Sequence, residues 1–396
     1  MTWFGTTALC VALIFAGFAF VYPRPIFRRK ACGAPKYIRD SDQAKDLLAN
    51  STLKSRAKPN ERLVRAFGIN NAFTATVQAD HRDFVNYAKQ LIRMQEHDWK
   101  SLGKTAVDGA SRIAGTVQTS GLTSLETSVQ LLVFHIVMGK FFPHVQPAPS
   151  DTDVEYIATT INDLWVASKC SKNKQLLLDK KNIFLGRLET ILDRNNVGKN
   201  PLNIILPAYE TLWRVVLRCF LEIRFRSSNH DRRAWTKLLS DFLSDPTQAN
   251  FAARLRDQVS IKDITLEALR LYPPTRRIYR DQGGILIAID IEYMHRDHEI
   301  WGPDADTFNP SRIEDMTSGI EDMKRQAFMP FGKGSFACPA ENVFGPMMIG
   351  ILVGALVTEV NNSFKLVDDK GEEIDLGEGP LDNGREAYGG LCLRCM

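Results

Sequence analysis

The residues best suited to chemistry lie near the C-terminus, in FMPFGKGSFACPAENVFGPMMIGILVGALV. Phe331-Gly332-Lys333-Gly334 is a glycine-rich turn, whose backbone can take positive φ and approach a bound group closely. Cys338 follows. Pro339 suits the first position of a helix, so the apolar run from Ala340 to about Val360 predicts a helix starting directly behind the cysteine. Free N–H groups and the dipole at such a start favour a thiolate, by roughly 0.3–1 kcal/mol each and up to ~2 kcal/mol in a buried geometry. A thiolate held on a rigid glycine loop is a soft ligand suited to iron. A cysteine buried in a turn as a small apolar residue is the alternative, and this segment alone leaves it open.

Two carboxylates invite attention next. Glu267 and Arg270, in TLEALRLYPPTRRIYR, are i, i+3 neighbours on one helical face, and Pro273-Pro274 end that helix. Alone, such a spacing describes a common surface pair. It is followed by HRDHEIWGPDADTFNPSRI, a turn-rich stretch ending in Pro310-Ser311-Arg312. Upstream, Glu210-Thr211 sit in a helix predicted from about Pro201 to Arg226, where Leu212, Val215, Val216, Cys219, Phe220 and Ile223 recur at helical spacing. Pro207 removes one backbone donor inside that helix and presses on the carbonyl of Asn203. The pattern therefore predicts a bend, an unpaired carbonyl and room for water beside Glu210 and Thr211.

The elements that must carry these residues are mainly helical. Helices are expected from Ser41, over Asp83 to Trp99, through LTSLETSVQLLVFHIVMGKFF, over Thr152 to Ala167, and over Lys181 to Arg194. A smaller β portion follows Arg276, in ILIAIDIEY, FKLVDDKGEEIDL and GGLCLRC. The 396 residues, 44% apolar, suffice for one large core or two smaller ones. A formal charge of +4 without a basic stripe argues against nucleic acid as a partner. Cys10, Cys32, Cys170, Cys219, Cys338, Cys392 and Cys395 are scattered and odd in number, which suits a reducing compartment rather than a disulfide framework. Cys392 and Cys395 form a single CxxC, short of the four ligands of a structural zinc, and read as small apolar residues on a terminal strand.

Residues 2–22 carry no charge and are apolar enough to cross the hydrocarbon layer as a helix. Arg24, Arg28, Arg29 and Lys30 follow Pro23, which predicts a single-pass anchor with the remainder in the cytosol. A cleaved signal peptide would want a basic n-region and a shorter apolar core. The expected organisation is an anchor over 1–22, a basic linker over 23–40 and a folded domain over 41–396.

The ordered set of a Glu-Thr helix, ExxR-L-Y-P-P, HRD followed by WGPDA and FNPSR, and F-x-x-G-x-x-x-C-P-A resembles the cytochrome P450 superfamily. The nearest likeness is to its membrane-bound fungal members, over roughly residue 200 to the C-terminus. The resemblance implies a P450-like fold behind an N-terminal transmembrane helix, and haem as the cofactor. It implies Cys338 as the axial ligand of the iron, Phe331 and Gly334 in the haem-binding loop, and Glu267, Arg270 and Arg312 as a cluster supporting that loop. Glu210 and Thr211 match the acid–alcohol pair that relays protons. The implied activity is that of a monooxygenase placing one oxygen atom of dioxygen into a small lipophilic substrate, in secondary-metabolite biosynthesis. Electrons would come from an NADPH-dependent flavoprotein reductase docking near Lys324, Arg325 and Lys333. The implied setting is the endoplasmic reticulum membrane, with lipid as a further partner.

The chain also departs from the family. Phe336 stands where the family places an arginine or histidine for a haem propionate, so Arg277 and Arg280 become the candidates for that duty. The Trp-x-x-x-Arg element has only His81-Arg82 or Trp99 as approximations. Pro207-Ala208 replace the usual small pair before the acid. This raises an alternative: an isomerase, dehydratase or coupling enzyme working without net oxygenation. The short stretch between the anchor and the first helix raises another, an inactive shortened remnant.

Overall fold

Most of the apolar periodicity becomes helix in the computed structural model, which describes residues 34–169, 174–192, 199–254, 259–313 and 322–396. The expected anchor at 1–22 lies outside the described residues, and among those described no helix is long and apolar enough to cross a membrane. The helices α1 (Ser41–Ala49), α2 (Leu53–Phe67), α3 (Gln78–Leu91), α4 (Glu96–Ser120), α5 (Leu125–Phe141), α6 (Asp151–Ala167) and α7 (Lys174–Leu192) come first. Then comes the long α8 (Leu202–Leu221), continued by a π-turn at Glu222–Arg226. After it stand α9 (Asn229–Ser244), α10 (Gln248–Ala252) and α11 (Ile261–Leu271), the short α12 (Ile291–His295), α13 (His298–Trp301) and α14 (Asp322–Ala327), and α15 (Phe344–Glu359).

Among the described residues, six short strands form two sheets. In the first, β1 (Lys36–Ile38) pairs in parallel with β4 (Ile285–Asp290), which pairs antiparallel with β3 (Arg277–Gln282). Residues 36–38 of the stretch expected to be linker therefore belong to this sheet. In the second, β6 (Cys392–Cys395) lies between β2 (Leu122–Ser124) and β5 (Phe364–Val367). Cys392 and Cys395 are three residues apart on this strand, so they point to opposite faces.

Local chemistry explains the boundaries. Asp40 caps α1 by accepting from the N–H of Gln43 at 2.8 Å. Ser260 and Asp263 form a reciprocal capping box at the start of α11. The helix expected over Asp83 to Trp99 is two helices, α3 and α4, separated at residues 92–95. α5 and α15 are apolar on all sides and buried, as core helices must be.

The Pro207 reading needs correction. The carbonyl of Asn203, freed by the proline, is not left for water: the side-chain amide of Asn71 donates to it at 3.3 Å. The Asn203 side chain accepts from the backbone N–H of Asn70 at 2.7 Å. The loop after α2 thus supplies what the helix lost, as buried backbone groups require. Asn71 is 2% exposed. Asn71→Ala is expected to cost about 1–3 kcal/mol, the penalty for stranding a buried acceptor, measured as a lowered urea midpoint. An unchanged midpoint would mean that water replaces the amide.

Candidate functional site

Glu267 and Arg270 on α11 are wholly buried and pair bidentately, at 2.7 and 2.8 Å. All five guanidinium donors of Arg270 are used. Two go to Glu267, and the other three go to the carbonyls of His295, Ala305 and Thr307. Arg312 closes the group by donating to Glu267 at 3.0 Å, while holding Asp304 and the carbonyl of Trp301. The backbone N–H of Asn309 also donates to Glu267, at 2.9 Å. The three charges predicted to cluster are brought together.

His295 joins this cluster to the cysteine loop, a part that sequence reasoning missed. The carbonyl of Arg270 lies 3.0 Å from its Nδ1, and the backbone N–H of Met329 donates to its Nε2 at 3.0 Å. Those two partners fix the tautomer with the proton on Nδ1. The ring stacks on Phe328. From Met329 the chain enters the glycine turn, where the N–H of Cys338 donates to the carbonyl of Phe331 at 2.9 Å. The only available signal was the position of His295 at the head of the HRD segment.

The loop itself is set by contacts glycine permits. Gly334 has φ +70°, and a Cβ there would lie 3.3 Å from the backbone of Leu48 and Ala49. Gly345 packs on the Phe331 ring, where a Cβ would meet ring carbons at 3.1 Å. The helix behind the cysteine starts later than expected. α15 begins at Phe344, not Ala340, and Cys338 to Glu341 form a turn closed by the Glu341 N–H on the Cys338 carbonyl. The reason is a second proline: Pro346 occupies the first turn of α15, where its missing N–H costs nothing. Burial pushes the Cys338 thiol pKa up, while the N–H of Ala340 works in the opposite sense, so the predicted dipole gain does not prevail in the chain alone. Cys338 nevertheless has accessible surface.

α8 shows the same signature. Ile204, Pro207, Ala208, Thr211 and Leu212 are partly accessible along one face of a helix otherwise largely buried. Thr211 lies on that stripe, its hydroxyl donating to the Pro207 carbonyl at 2.8 Å. Glu210 is 6% exposed and is ion-paired with Arg385 from the C-terminal segment. The two predicted relay residues are therefore adjacent, but both are engaged.

Of the two propionate candidates, only Arg280 comes to the cysteine loop. Arg277 and Arg280 are three apart on β3 and point to opposite faces. Arg277 faces Asp290 at 3.4 Å, whereas Arg280 is buried near the Phe336 ring. His81 meets Phe336 edge-on, while Arg82 pairs with Asp83 in solvent and Trp99 packs on Phe344. Lys324 is buried and Arg325 pairs with Asp322, so the expected basic docking patch does not form as a solvent-facing group. Two hollows, of about 570 Å³ beside Gln95 and Lys100 and about 100 Å³ beside Leu188 and Pro201, contain none of the predicted site residues. Among the described residues, no group of three or more His, Cys, Asp or Glu side chains is arranged to hold a metal ion.

Comparison with known proteins bears on the same segments. The family model "Cytochrome P450" matches residues 264–375, which span the Glu-Arg-Arg cluster, the cysteine loop and α15. Over that segment the chain is similar to the cytochrome P450 superfamily. It is similar to the probable cytochrome P450 313a4 of Drosophila melanogaster, 30% identical over 40% of this chain and 35% of the relative. It is also similar to cytochrome P450 CYP72A616 of Paris polyphylla, 41% identical over 20% of this chain and 18% of the relative. The chain thus spans about a third or less of the length of these relatives. A P450 structure from Thermus thermophilus, CYP175A1, shares the fold with a TM-score of 0.64 at 15% identity, over 91% of this chain and 88% of that one.

Similarity to the P450 superfamily implies haem with a cysteine thiolate on its iron, and the residues present fit that group. An accessible thiol stands on a braced glycine loop, and buried arginine stands beside the loop without a carboxylate partner among the described residues. Removing one member of the buried charge cluster should be severe. Arg270→Leu is expected to cost about 3–5 kcal/mol, because it strands Glu267 without its partner; a loss below about 1 kcal/mol on chemical denaturation would contradict the pairing. His295 supplies a pH test. Desolvation holds its ring neutral, with the pKa pushed down to about 3. Unfolded, the ring protonates near 6.5. The unfolded state therefore takes the proton first, and stability falls as pH drops below about 6.5, by roughly 1.4 kcal/mol per unit until about 3. Between pH 7 and 5 the wild-type urea midpoint should fall more steeply than that of His295→Gln; parallel slopes would exclude this ring as the cause.

Proposed function

We propose that the chain acts as a haem-thiolate monooxygenase, with Cys338 as the ligand to iron. The observation that carries this reading is the continuous support from Glu267, Arg270 and Arg312 through His295 to the loop bearing Cys338. Such support keeps a soft ligand in one position through turnover. Bound haem supplies the redox chemistry that activates dioxygen.

The chain's own residues do the rest. Gly334 and the Phe331–Gly345 contact fix the loop that presents Cys338. The stripe of Ile204, Pro207, Ala208 and Leu212 offers an apolar wall, which suits a small lipophilic substrate and excludes water. The Thr211 hydroxyl stands on that wall and can hold a proton there. Glu210 would deliver the proton after leaving Arg385. Electrons from an NADPH-dependent flavoprotein are part of the reading; one relative, from Bacillus subtilis, is named a bifunctional cytochrome P450/NADPH--P450 reductase. So are attachment to the endoplasmic reticulum membrane by residues 1–22, supported by their uncharged apolar composition, and a place in secondary metabolism.

A second reading has one observation in its favour. With Thr211 bonded to Pro207 and Glu210 to Arg385, proton delivery is restrained, as suits an isomerase or dehydratase. Turnover under isotopically labelled dioxygen separates the two: label in the product is expected of the monooxygenase. The primary test is Cys338→Ser. The wild-type ferrous carbon monoxide complex should show a thiolate-type Soret band, and the variant should lose it. A band unchanged by the substitution would remove Cys338 from the iron.

A further inference from the structure

Arg56 and Arg280 form a buried pair of like charges. Arg56, on α2, is 8% exposed and Arg280, on β3, is 4% exposed. Among the described residues neither has a carboxylate partner. Arg56 bonds to His81 Nε2 at 3.3 Å, and Arg280 donates to Ser51 Oγ and to the Tyr279 carbonyl. Both guanidinium groups sit on the ring of Phe336, 4.9 and 5.7 Å from its centroid, and His81 meets that ring edge-on at 5.3 Å. Phe336 is two residues before Cys338.

Burial and the neighbouring Arg280 push the Arg56 pKa down to about 10, with the nearby Cys338 acting the other way. Both guanidinium groups thus stay charged at neutral pH. Two buried like charges are unfavourable until an anion joins them. Each guanidinium keeps unused donors in a planar fork, the geometry that grips a carboxylate at two points. Contact with the Phe336 ring holds both forks beside the loop.

We propose that Arg56 is a cofactor-anchoring residue, closing with Arg280 on the carboxylates of a haem bound to Cys338 and replacing the cation that the loop lacks at Phe336. The charge is delivered from α2, across the Phe336 ring contact, rather than from the loop. This rests on the haem-thiolate reading above.

The test uses the full chain, produced with haem withheld and then titrated with haem or with haem dimethyl ester, whose carboxylates are blocked. Wild type should bind haem at least about tenfold more tightly than the ester. Arg56→Gln should weaken haem by about ten- to a hundredfold and the ester by no more than about twofold. Adding Phe336→Arg to that variant should restore haem binding. Equal affinity of the wild type for haem and ester overturns the proposal, as does a parallel loss of both ligands in Arg56→Gln, which marks a structural role. The carbon monoxide spectrum of the same wild-type sample keeps the two ideas apart. A missing thiolate band rejects Cys338 whatever the ester shows, and a normal band without acid preference rejects Arg56 alone.

Discussion

A carboxylate with no exposure at all cannot stay ionised in a protein interior unless every oxygen is answered. Glu267 is answered by two arginines and a backbone amide, and everything around the cysteine loop depends on that solution. Arg270, once held, has donors left over, and they go to the carbonyl that ends α12 and to two carbonyls of the turn-rich segment after α13. The turn-rich region has little regular structure of its own to satisfy its backbone. It is ordered because a buried charge demands its carbonyls. The loop inherits that order through one neutral imidazole.

The interior is thus a polar frame set inside an apolar shell. α5, α8, α11 and α15 supply the shell, and the all-round hydrophobicity of α5 and α15 specifies burial without specifying orientation. The directional bonds of the Glu267 cluster and the Asn71–Asn203 contact supply the orientation. One is joined through His295 to the cysteine loop, and the other acts at the proline in α8.

What was legible in the sequence follows the same division. Cys338, Glu267, Arg270 and Arg312 were legible because each belongs to a short run whose spacing is itself the signal. The helices were legible from periodicity, although the start of α15 was not: two prolines each suited a first helical turn, and an apolar run does not choose between them. Arg56, Asn71 and Arg385 gave no signal. Asn71 meets Asn203 across 132 residues and Arg385 meets Glu210 across 175, so only the fold brings them together. The choice between Arg277 and Arg280 was undecided for a related reason. Alternation along a strand says that they differ in face, and the packing says which face is which.

The second sheet has a consequence for how the molecule is made. β6, the last strand of the chain, is the middle one of its sheet, and the segment before it carries the arginine that reaches α8. During synthesis β2 and β5 leave the ribosome with the place between them still empty. The sheet closes only when residues 392–395 have been made, so the nascent chain keeps that part of its interior open until then.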